Sequence, residues 1–155
     1  MLRPGWLIAV CAAAIAVSAW LPWLTTSAQG GGRANAIGGS VGSIVLAPRF
    51  GAGQLIVLLA SALLISGAMA ARGVSVRTAS AAALALSALI TGLTGWYYRV
   101  NVLAPVTAGY GLYVAGALAV LALALSGWAL VEALSRRSGP AMPRPRDTTG
   151  PRADS

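Results

Sequence analysis

The chain has 155 residues, 57% of them apolar and 9% charged, and a mean hydropathy of +0.77. A soluble domain carries about 25% charged residues, so this composition argues against one. All eleven basic residues are arginine, histidine is absent and the only acids are Glu132, Asp147 and Asp154, which excludes carboxylate pairs, histidine bases and His/Cys metal clusters.

The first apolar run covers residues 5–24 and contains no charge. At 1.5 Å per residue, a helix of that length covers about 30 Å, the thickness of a bilayer core. Cys11 lies within it and is the only cysteine, so no disulfide forms inside the chain. It reads as a small buried apolar side chain, because Ile8-Ala9-Val10 ahead of it lacks the small residue of a lipoprotein cleavage site. The alternative for this run is a cleaved secretory signal, with Arg3 ahead of it and Val17-Ser18-Ala19 as the cleavage site. Trp20, Pro22 and Trp23 instead suit the interfacial end of a retained helix.

Residues 25–50 are rich in Gly, Ser and Ala and read as a flexible external loop. The run Gly30-Gly31-Gly32 lacks the Lys-Ser/Thr of a phosphate-binding loop. Residues 43–46 could pair as a short strand. A second apolar span follows at 51–71, with Gln54 as a polar residue near its outer end. The connection 72–77 is short, so the second and third spans must be antiparallel neighbours.

The third span, 78–98, divides by face at 100° per residue. Ser80, Ser87, Thr91 and Thr94 lie on one stripe, and Ala81, Ala85, Ala88, Gly92 and Gly95 on a second beside it. Both are expected to face protein, with Leu86, Leu89, Ile90 and Leu93 facing lipid. The hydroxyls read as groups bonded to their own helix, since no ionisable residue accompanies them. The fourth span, 110–131, repeats the small-residue pattern with Ala115, Ala119, Ala122 and Ser126, and the first does so with Ala9, Ala13 and Ala16. From Arg136 to Ser155 the prolines and charges leave nothing to bury, and a disordered tail is expected.

With the N-terminus inside, Arg3, Arg72, Arg77, Arg136, Arg137, Arg144, Arg146 and Arg152 are cytoplasmic, against Arg33, Arg49 and Arg99 outside. That bias places both termini in the cytoplasm. Trp20, Trp23, Phe50, Trp96, Tyr97, Tyr98, Tyr110 and Tyr113 then cluster at the outer ends, as an interfacial aromatic belt or the lining of a lipid or partner pocket. Trp6 and Trp128 mark the inner side. The arginines are scattered singly between apolar runs, so neither nucleic acid nor a metal is expected as a partner. The fold class expected is all-α: a polytopic membrane protein with four helices in an antiparallel bundle over residues 1–135, seated in the plasma membrane.

Leu21-Pro22-Trp23, the glycine-rich outer loop and Gly109-Tyr110-Gly111-Leu112-Tyr113 resemble those of small four-helix integral membrane proteins of actinobacteria. The likeness covers most of residues 5–135. It implies no catalytic residue and no cofactor, as such proteins are mostly of unknown function. Small multidrug transporters require a carboxylate in the first helix and claudin-like proteins require paired external cysteines, and both are missing. The expectation is a non-enzymatic accessory or structural component of the cell envelope, acting through helix packing with itself or a larger membrane protein. The alternative is a small oligomeric carrier for lipid or hydrophobic molecules.

Overall fold

The computed structural model describes residues 4–43 and 51–135. The tail from 136 onward, Arg3, Arg49, Phe50 and most of the 43–46 stretch lie outside the described residues. Four α-helices, α1 (Pro4–Ser18), α2 (Ala52–Ala71), α3 (Val76–Asn101) and α4 (Tyr110–Ser135), dominate the chain. Each packs against its sequence neighbours, and α1 closes the ring against α4. The last three are long and apolar enough to cross a membrane.

A strictly all-α expectation needs correction. Strands β1 (Pro22–Thr26), β2 (Gly32–Asn35), β3 (Ser40–Gly42) and β4 (Val106–Ala108) form one antiparallel sheet in the order β3-β2-β1-β4. The segment expected as a flexible loop thus supplies most of a sheet. The connection between α3 and α4 supplies its other edge, tied by Thr25 and Thr107, whose hydroxyl oxygens lie 3.0 Å apart. The glycine run serves the turn between β1 and β2: Gly30 and Gly31 hold φ of 89° and 87°, a region L side chains rarely enter.

Helix α1 stops at Ser18, six residues before the expected end. Proline at 22 has no N–H to donate and disfavours helical geometry at Leu21. The last turn tightens instead, with Trp20 N–H on Val17 and Leu21 N–H on Ser18. The Ala19 carbonyl accepts the N–H of Ala36 at 3.1 Å, so the sheet satisfies a group the helix end leaves open.

The bundle interior is narrow. Ala12, Ala60, Ala83, Ala115, Ala119 and Ala122 are fully buried with Ile8, Ile15, Ile56, Leu63 and Ile90. At the end away from the sheet, α1 and α2 approach so closely that a β-carbon on Gly5 would lie 2.8 Å from the Gly67 carbonyl oxygen. Larger residues point outward: Leu58, Ile65, Leu89, Val120, Trp128 and Val131 are all exposed. A water-soluble bundle has the opposite distribution.

On α3 the expected Ala/Gly face turns outward and one residue of the expected lipid face turns inward, while Leu89 stays exposed as expected. Ser80, Ser87 and Thr94 do face inward, with Ile90 among them, so Ile90 is core. Ala81, Ala85, Ala88, Gly92 and Gly95 form an exposed outer stripe. The two small stripes are adjacent on the helix and alike in volume, so the sequence alone did not fix which one packs. On α1 the inward small residues are Gly5, Ala9 and Ala12, while Ala13 and Ala16 sit at the margin.

Gln54 joins α2 to the sheet. Its Oε1 accepts the Gly51 N–H at 3.1 Å, and its Nε2 donates to the Ile37 carbonyl at 2.9 Å. Gln54→Leu is expected to lower unfolding stability by about 1–2 kcal/mol, two ordinary hydrogen bonds. Denaturant titration in detergent micelles, followed by circular dichroism, reads that loss.

Candidate functional site

The hydroxyl stripe of α3 was the first candidate, and its bonding is local. Ser87 Oγ donates to the Leu84 carbonyl at 3.0 Å, Thr91 to Ser87 at 2.8 Å and Thr94 to Ile90 at 2.8 Å. These bonds satisfy each hydroxyl within its own helix. Ser80 and Ser126 are fully buried, and among the described residues their hydroxyls meet no hydrogen-bond partner. A nucleophile needs a base within reach, and the described acid, Glu132, stands on α4 near the opposite end from the sheet. Cys11 is buried in the helix packing. Among the described residues no three His, Cys, Asp or Glu side chains gather as metal ligands do.

The aromatic cluster divides into two groups. Trp20, Trp96, Tyr98, Tyr110 and Tyr113 are exposed around the sheet end. Trp23 and Tyr97, expected in the same belt, belong to the core instead, at 0% and 7% exposure. The cause is a β-bulge. β1 pairs Pro22 with Asn35 and then Leu24 with Ala34, leaving Trp23 as the additional residue. A bulge re-aims side chains, so two consecutive residues, Trp23 and Leu24, both turn inward. Trp23 Nε1 donates to the Ser18 carbonyl at 2.8 Å, and its ring meets Tyr97 edge-on at 5.3 Å between centroids.

Leu21-Pro22-Trp23 and the Gly109-Tyr110-Gly111 entry into α4 meet at this point. Gly109 N–H donates to the Trp23 carbonyl at 2.7 Å. A β-carbon on Gly111 would stand 2.8 Å from both the Leu21 side chain and the Trp23 ring. The glycines therefore let the start of α4 lie flat against β1. This is a structural joint with no free chemistry.

A groove between the sheet-end halves of α3 and α4 has room for a ligand. It measures about 340 Å³ and is open to the outside of the bundle. Thr91, Gly95 and Tyr98 line it from α3, and Tyr113, Gly116 and Val120 from α4. Gly95 and Gly116 provide the hollow by lacking side chains. Tyr98 and Tyr113 stand 6.5 Å apart between ring centroids at one end. Sequence periodicity missed the groove because Gly95 was assigned to a packed face. The signal was present as glycine on the tyrosine-bearing ends of two consecutive spans. Compared with protein-family models, curated proteins and solved structures, the chain matches none.

Proposed function

We propose that this chain is an integral membrane protein of the cell envelope, with four helices in the bilayer, both termini cytoplasmic and the sheet outside. Its role is a non-enzymatic accessory or structural one, exercised through helix packing. The observation that carries this reading is the distribution of side chains: an alanine- and serine-rich interior with a few isoleucines, and many large leucine, valine and tryptophan side chains exposed on the outside. Small interior residues let helices approach closely where lipid already satisfies large apolar side chains. Exposed tryptophan and tyrosine at the sheet end, with exposed Trp6 and Trp128 on the other half, fit two interfacial belts.

Helix α1 extends only about 22 Å at its 15 residues. Protein covers part of its irregular continuation, where Ala19 and Trp23 are fully buried, while the exposed Trp20 suits the interface. The closely packed interior, with alanine on every helix, favours a packing role over a conducting one.

Topology is tested by thiol labelling on a Cys11→Ser background, at Ser40→Cys in the exposed β3 strand and Val74→Cys in the exposed α2–α3 turn. An impermeant maleimide is expected to label Ser40→Cys in intact cells and Val74→Cys only after permeabilisation. The reverse result would overturn the orientation. Affinity purification in mild detergent, tagged at the cytoplasmic tail, then tests the role. A near-stoichiometric membrane partner, or a homo-oligomer of fixed stoichiometry, supports a packing function. A monomer that catalyses flux or turnover in vesicles sinks it.

A further inference from the structure

The α3–α4 groove combines three properties that point to one class of occupant. Its wall is apolar and open sideways, so a linear chain can enter from the surrounding hydrocarbon rather than from water. Its volume lies within the span of about 300–1,000 Å³ usual for small-ligand sites. One turn beyond Gly95 on α3, outside the groove lining but within an arginine's reach of its tyrosine end, stands the exposed cation Arg99.

We propose that this groove holds an acyl chain of an anionic phospholipid, with the phosphate at Arg99 and the two tyrosines at the glycerol level. The proposal rests on the membrane reading above. Charge selects this occupant over a second copy of the chain. A two-fold contact through the groove would bring each Arg99 towards its counterpart, and like charges oppose such pairing. A phosphate ester instead accepts the guanidinium's paired N–H donors. The hollow left by Gly95 and Gly116 removes the side-chain bulk that would keep a methylene chain off the helix backbone.

The test uses the full chain purified in mild detergent and titrated with dioleoyl phosphatidylglycerol or dioleoyl phosphatidylcholine, with bound lipids counted by native mass spectrometry. The first phosphatidylglycerol is expected to bind about fivefold more tightly than the first phosphatidylcholine, the gain of one arginine at an anionic headgroup. Arg99→Gln should erase that preference, and Arg99→Lys should keep most of it. Gly95→Leu should abolish first-lipid binding of both kinds. A β-carbon there meets nothing within 4 Å, so the substitution begins in open space rather than against the helix packing. Gly127→Leu, equally unobstructed on α4, should bind as the unsubstituted protein does.

Equal binding of the two lipids by the unsubstituted chain would overturn the proposal, as would undiminished binding by Gly95→Leu. A doubled mass that Gly95→Leu dissociates would overturn it in favour of a second copy. Alkaline extraction of membranes separates the two levels of failure. A chain released into the soluble fraction refutes the membrane reading itself, whereas a retained chain without lipid preference refutes only the groove assignment.

Discussion

Trp23→Ala is expected to cost about 3–5 kcal/mol of unfolding stability, the range for removing a large aromatic from a core. The ring is fully buried where β1 meets the bundle, edge-on to Tyr97. Its removal opens a cavity beside Tyr97 and Gly111, and glycine has no side chain to fill it. Trp23→Phe separates the two contributions. It keeps most of the ring and loses the Nε1 bond to Ser18, so the expected cost is nearer to 1–2 kcal/mol, combining about one hydrogen bond with a smaller cavity. Trp20→Ala, three residues away in sequence but 73% exposed, should change stability little. Denaturant titration of all three variants in one micelle system provides the comparison.

Gly109→Val is expected to destabilise by about 1–3 kcal/mol or more, for a steric reason. A β-carbon at this position would collide with the Pro22 carbonyl, which is backbone and cannot rotate aside. The collision forces α4 away from β1 and stretches the 2.7 Å bond from Gly109 N–H to the Trp23 carbonyl. Loss of that bond should expose the β1–β4 seam to solvent exchange. Amide hydrogen exchange is therefore the more specific readout, with faster exchange expected at Thr25 and Thr107 than in the α2–α3 pair. Gly92→Val serves as a control, because a β-carbon there meets nothing within 4 Å. Equal destabilisation by both substitutions would show that the collision with Pro22 is not the cause, since a valine at Gly92 meets no such obstacle.

Helix number and approximate limits were legible because uninterrupted apolar runs of about 20 residues have few other physical outcomes. Span 51–71 and helix α2 differ by one residue. The end of α1 was not legible from apolarity alone, since Ala19, Trp20 and Leu21 continue the hydropathy while Pro22 ends the geometry. The sheet escaped for a related reason. Its strands have three to five residues each and are drawn from two distant connections, so no local alternation announces them. Thr25 and Thr107 become neighbours only through tertiary structure. On α3 the inward direction of Ser80, Ser87 and Thr94 could be read from a seven-residue spacing, but the neighbouring Ala/Gly stripe matched the packing criterion equally well. The groove was illegible for the same reason, because Gly95 forms a hollow only when its face points outward.

The central position of β1 has a consequence for the order of assembly. On one side it pairs with β2, which follows within ten residues; on the other it pairs with β4, about eighty residues later. During synthesis, α2 and α3 must therefore emerge before β1 can acquire its second partner. Through that interval one edge of β1 remains open, with its N–H and C=O groups unsatisfied by chain. Closing the seam is a high-contact-order step, slow beside the helix hairpin it follows. Arrival of residues 106–108 thus works as a late latch, joining the first-made quarter of the chain to the last helix.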